Sequence, residues 1–150
     1  PADVTIPKQA GQSSLENKLL ISRMNSIQAS IFCMGGYEPE YGFHKQKFYT
    51  EITEAGATLA LIGKDIFYIL EKLTSLDFLD PANVTPFLFQ APLSHVPCQI
   101  VTLSNNKSKG VVIFTCSRGY AKDMVHSVMD GGQEFGLTPA GESKLSLIYT

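Results

Sequence analysis

The sequence predicts an α+β domain: a mostly antiparallel sheet with helices packed on one face, a split βαβ arrangement. Three observations carry this. Residues 66–73 and 121–129 place apolar side chains at helical spacing. Shorter runs, among them ATLALI, CQIVTL and GVVIFTC, are apolar or β-branched and bounded by turn-forming residues, as strands are. The two kinds follow one another as β, then β-α-β-β-β-α. That order joins neighbouring strands by hairpins and lets the helices share a face.

Residues 1–14 (PADVTIPKQAGQSS) are polar and lack the charged-then-apolar layout of a signal peptide. They read as an N-terminal arm to a single domain over residues 15–150. A chain beginning at Pro1 fits removal of an initiator methionine, and the expectation is a nearly complete cytoplasmic protein. LENKLLISRM, residues 15–24, sets Leu15, Leu19, Leu20 and Met24 along a short helical stripe. QASIFCM (Gln28 to Met34) is expected as a strand, followed by the loop GGYEPEYGF. In that loop Tyr37, Glu38, Glu40 and Tyr41 could contact a ligand or a partner, or their rings could cover a core edge.

ATLALI (Ala57 to Ile62) reads as a strand buried on both faces, and Gly63 hands over to a helix with Ile66, Ile69, Leu70 and Leu73 on one face. Pro81 and Pro86 keep residues 75–86 irregular, because proline cannot donate to a helix or a ladder. PFLFQAPL is expected at an edge because Pro92 interrupts it, and CQIVTL pairs with GVVIFTC across the turn SNNKSKG. Ser117 can cap the following helix, whose stripe is Ala121, Met124, Val125, Val128 and Met129. Gly131 and Gly132 can supply the left-handed residue that ends it, and ESKLSLIYT alternates as a last strand would.

Composition excludes several classes. A net charge of -2 with scattered Lys and Arg gives no basic surface for nucleic acid. No apolar run approaches the roughly 20 residues that span a bilayer. Cys33, Cys98 and Cys116 are widely spaced with no C-x-x-C, so they read as buried free thiols rather than a metal or redox set. A cysteine–histidine hydrolase needs a histidine beside its thiol, and nothing places His44, His95 or His126 near Cys116. IGKD at Ile62 to Asp65 and SRGY at Ser117 to Tyr120 are strand–glycine–helix corners with a cation, but both lack the further glycines of a phosphate loop. Arg118 could hold a carboxylate at the helix start or lie solvated beside a plain cap. The pairs Glu38/Glu40 and Asp77/Asp80 lie in polar turns, where solvated charges suffice as an account. These residues predict no catalytic group and no metal ligand.

ATLALIGKDIFYILEKLTSLDFLD is similar to the strand-Gly-helix unit of the aminomethyltransferase (glycine-cleavage T-protein) superfamily. LSHVPCQIVTLSNNKSKGVVIFTCSRGYAKDMVHSVMDGGQEFGL resembles more specifically the gamma subunit of heterotetrameric sarcosine oxidase. The resemblance runs through Leu93, His95 and Val96, the strand Val111 to Phe114, the helix start at Ser117 and Tyr120-Ala121, and the closing Glu134-Phe135-Gly136-Leu137. GLTPAGESKLSL and GGYEPEYG echo neighbouring T-protein segments. Over Ala57 to Leu137 this implies a folate-binding-type α+β fold.

CQIVTLSNNKSKGVVIF, where the T-protein has its catalytic aspartate, contains no acidic residue, and only Gly119 and Tyr120 remain of a Gly-Tyr-Thr-Gly-Glu motif. The resemblance therefore implies a non-catalytic accessory subunit. Its complex would oxidatively demethylate N-methyl amino acids and pass the one-carbon unit to tetrahydrofolate. FAD, FMN, NAD and tetrahydrofolate would then belong to larger flavoprotein subunits and not to this chain. Tyr37, Tyr41, Phe87 and Phe89 are the expected partner contacts, and Arg118 and Tyr120 the candidates for any residual cofactor contact. Two other readings stay open: a free-standing folate-dependent methyltransferase or folate-binding protein, and a structural subunit of an unrelated assembly.

Overall fold

A computed structural model of the chain describes residues 5–34, 48–141, 143, 144 and 148. Tyr37, Glu38, Glu40, Tyr41 and His44 lie outside the described residues. Among the described residues the architecture is α+β, with two antiparallel sheets and two α-helices. Strands β1 (Ser13–Glu16), β2 (Leu19–Arg23) and β3 (Ala29–Cys33) form one sheet in sequence order. The second contains β4 (Gly56–Gly63), β5 (Phe87–Leu93), β6 (Val96–Ser104) and β7 (Gly110–Ser117) in the order β4-β7-β6-β5. Helix α1 (Ile66–Glu71) crosses from β4 to β5, and α2 (Ala121–Gly132) follows β7.

Where the sequence predicts a helix over residues 15–24, the chain forms the β1–β2 hairpin instead. Asn17 and Lys18 both take left-handed backbone conformations, φ 49° and 64°. That is the two-residue turn whose twist matches paired strands, and asparagine is one of the side chains that tolerates it. The turn places Leu15 opposite Leu20, so the leucines that mimic a helical stripe meet across a ladder. The hairpin also reaches back into the expected arm. β1 begins at Ser13, and Gly11 receives the N–H of Leu88 at 2.6 Å while Ser13 donates to the Pro86 carbonyl at 3.1 Å. This segment joins one end of β5 to the first sheet.

The four-stranded sheet has a core on each face because its strands alternate. Leu61, Leu93, Ile100, Val112 and Phe114 point to the helices, where Ile66, Phe67, Leu70, Met124 and Val128 meet them. Leu88, Val101 and Ile113 point the other way and pack with Leu20 and Met34 from the first sheet. Full burial of such side chains stabilises by about 1.5–3 kcal/mol each. Both helices therefore share one face, as expected. The split βαβ detail does not form. β4 and β5, joined through α1, are the two outer strands and run antiparallel to each other, because three antiparallel pairings separate them.

Other expectations are adjusted locally. β5 is an edge strand, with Pro92 on it as predicted. β4 is not buried on both faces: Thr58 is exposed and Leu61 is its one fully buried residue. Ser117 makes no capping hydrogen bond, because a 3-10 turn over Arg118–Tyr120 separates it from α2. Val125 is 43% exposed, on the solvent flank of α2 rather than in its buried stripe. The left-handed residue near the end of α2 is Gly136 (φ 69°), after a further 3-10 turn, not Gly131 or Gly132. In the expected last strand the described residues Ser143, Lys144 and Ile148 are in helical turns, and the rest lies outside the described residues.

Candidate functional site

The corner after β7 is closed by an ion pair. Arg118 Nη1 donates to Glu54 Oε2 at 2.8 Å, and the two side chains are 68% and 89% exposed. Glu54 belongs to the 3-10 turn Thr53–Ala55 that leads into β4, so the pair ties the start of β4 to the end of its neighbour β7. The carboxylate offsets the charge that an anion would need, and Tyr120, two residues on from Arg118, is 50% exposed. The other corner, Gly63-Lys64, has Lys64 3.8 Å from Asp65 and opens a helix of only six residues. Neither corner forms a cradle of backbone donors.

The cysteines divide into an inner pair and an outer one. Cys98 and Cys116 lie opposite each other on β6 and β7, on the helix side of the sheet, 6% and 3% exposed. Burial pushes both thiols above their ordinary range; the neighbouring Cys116 adds to this at Cys98, and a Leu93 backbone hydrogen bond opposes it. His95 is exposed in the β5–β6 turn, and His126 lies 3.3 Å from Asp130 on the outer side of α2. Cys33 is exposed on β3, and its thiol is raised by partial burial and then by the Glu51 carboxylate. Glu51 also accepts from the Tyr49 hydroxyl at 2.7 Å and from Thr53. An acid beside a thiol suppresses the thiolate, the opposite of what a nucleophile needs.

Phe87 and Phe89 belong largely to the inside. Their rings meet edge to face at 4.9 Å, and Phe89 packs in the same manner on Phe78 at 5.2 Å. Gly11 lies so close to Phe87 that a methyl group there would fall 2.4 Å from the ring. Both rings remain part-accessible, which bounds what they could offer a partner. Asp77 and Asp80 accept backbone N–H groups two residues ahead, from Leu79 at 2.9 Å and Ala82 at 2.8 Å. They fold their own loop. Among the described residues no group of His, Cys, Asp and Glu is placed to hold a metal ion.

What the sequence does not suggest is a shelf on the sheet face turned from the helices. The first sheet covers only part of that face. Beyond the apolar row Ala60, Ile113, Val101 and Leu88 comes a polar row, in register across all four strands: Thr58, Thr115, Gln99 and Gln90. The Thr58 and Thr115 hydroxyls are 2.8 Å apart, and the Gln90 amide donates to the Met24 carbonyl at 2.9 Å. Exposed Ser117, Pro97 and Pro92 follow in the next row. The row is uncharged, and Gln99 also reaches Met24, its amide 3.9 Å from the sulfur. Single polar residues in VIFTC, PCQIV and FLFQAP are its trace in the sequence, and only the register aligns them.

A depression of about 320 Å³ lies elsewhere, between Thr5, Gln12, Ser14, Glu16, Val84 and Pro86, and is open to solvent. Its described lining includes Glu16 and no lysine, arginine or histidine. Compared with family models, with curated proteins and with solved structures, the chain matches none.

Proposed function

We propose that the chain is a non-catalytic accessory subunit of a multi-subunit flavoenzyme of the sarcosine-oxidase type, acting on N-methyl amino acids and tetrahydrofolate. The sequence resemblance over Ala57 to Leu137 motivates the reading, and the polar shelf is the observation that supports it. Small-molecule sites are concave, with convergent polar groups. The shelf instead sets hydroxyls and amides in a row across four strands, with prolines at its rim, a surface suited to another protein.

In this reading FAD, FMN, NAD and tetrahydrofolate sit on larger partner subunits. Two observations support that placement: Glu54 already pairs with Arg118, and residues 98–114 carry no carboxylate to orient a pterin ring. The test is the native mass of the protein purified from its source, with an absorbance scan. A large, yellow complex supports the proposal. A large, colourless one moves it to a structural subunit of another assembly. A colourless species near 16.4 kDa that binds tetrahydrofolate overturns it in favour of a folate-binding protein.

A further inference from the structure

The two outer strands of the four-stranded sheet are treated differently. β5 is guarded by Gly11–Ser13 at one end and by Pro92 towards the other. β4 has no guard. Its sequence, GATLALIG, holds no proline and no charge over eight residues, and no described segment other than β7 hydrogen-bonds to it. An apolar, unguarded edge is a template for another strand, and folded proteins ordinarily protect such edges with lysine, proline or a covering loop.

We infer that β4 pairs antiparallel with β4 of a second copy of this chain, in a register centred on Leu59. A two-fold axis through a continuous sheet must bring together residues that point to the same face, so the axis passes beside a residue rather than between two. Centred on Leu59, Thr58 faces Ala60 of the second copy, Ala57 faces Leu61 and Gly56 faces Ile62. Each larger side chain then meets a smaller one, apart from the central leucines. Just outside the strand, Glu54, which also holds Arg118 of its own copy, comes level with Lys64 of the other copy, twice over; at 89% and 77% exposed, both side chains have room for the added contact. A register centred on Ala60 loses both features: it sets Leu59 against Leu61 and leaves Glu54 level with Ile66. Charge and size together select the first. The result is an eight-stranded sheet with helices on one face; on the other, each polar row continues into the apolar row of the second copy, so the two polar rows are offset by two residues. This pairing does not depend on the subunit reading.

Sedimentation velocity of the purified chain, up to about 1 mM to catch weak association, should show a species of twice 16.4 kDa growing with concentration. Thr58→Lys places two like charges either side of the axis on an exposed position and should weaken the dimer at least about tenfold, while the dilute variant keeps one cooperative melting transition. Register is read by disulfide trapping in a Cys33→Ser background. Leu59→Cys should give a covalent dimer on oxidation, since directly opposed residues lie within disulfide reach. Gln90→Cys, on the far edge, should give none. A monomer at every concentration overturns the proposal, and so does a dimer that cross-links through position 90 and not 59. Should Leu59→Cys fail to fold, the wild-type and Thr58→Lys runs still decide.

Discussion

Cys116 shows how little a reactive residue type says without its surroundings. Its thiol faces the helix layer beside Cys98, with burial holding both above the ordinary thiol range. In the folded protein only exposed Cys33 should react promptly with a thiol reagent, and the other two only after denaturation; three fast thiols would contradict the packing. Because partial burial and, after it, Glu51 raise Cys33, its reaction should be slower than that of free cysteine near pH 8 and should catch up as pH rises. The inner pair has a consequence for stability. Each holds its proton more tightly folded than unfolded, so its contribution is complete below the unfolded value of about 8.5 and is lost as pH rises towards the folded value. Melting temperature should therefore fall above about pH 8.5, and more gently for Cys98→Ala/Cys116→Ala, which starts lower but has no inner thiols to titrate. Equal slopes would remove that account. Arg118→Ala should shift stability by less than about 0.5 kcal/mol in a denaturant titration, because both ends of its ion pair lie in water.

At the level of elements, helix α2 ends on two glycines that a propensity scale treats alike, and their neighbours separate them. A methyl group on Gly131 would meet Ile69 and Leu73 at 3.7 and 3.8 Å, ordinary contact distances. On Gly132 it would fall 2.5 Å from Leu137, which folds back and donates to the Gly132 carbonyl at 3.1 Å. Gly131→Ala should stabilise by about 0.5–1 kcal/mol, as expected of alanine in a helix, and Gly132→Ala should destabilise. Thermal melts of the two variants moving the same way would refute the contrast. Legibility in the sequence divides along similar lines. Helices α1 and α2 and strands β4, β6 and β7 are readable because a 3.6-residue stripe or a run of β-branched residues belongs to one element at a time. The β1–β2 hairpin is not, because leucines at positions 15, 19 and 20 satisfy a helix face and a two-residue hairpin equally well. The deciding signal, Asn17 at a turn needing positive φ, is one residue long. Lys18→Gly should relieve that conformation and raise the hairpin's stability by about 0.5–1 kcal/mol.

For the whole molecule, the arrangement that matters is a sheet shared by two cores. The shelf escaped the sequence because Thr58, Gln90, Gln99 and Thr115 come from four strands and become neighbours only through the ladder register. The charged corner that does stand out in the sequence, Arg118, is matched by Glu54 from 64 positions away. The same sharing bears on folding. Ile100, fully buried on the helix side, and Val101, on the other, are consecutive residues of β6, so neither core can open without disturbing the strand that carries both. Leu20 reaches the second core from the first sheet, which Gly11–Ser13 also stitches to the β5 edge through hydrogen bonds to Pro86 and Leu88. Leu20→Ala and Ile100→Ala should each cost about 2–5 kcal/mol. Both should move one common transition, with the far-ultraviolet backbone signal and the near-ultraviolet tyrosine signal melting together. The informative failure would be Leu20→Ala splitting the melt in two while Ile100→Ala shifts it whole. The first sheet would then be an attached layer with its own stability, and the four-stranded sheet with its helices would be the unit that folds.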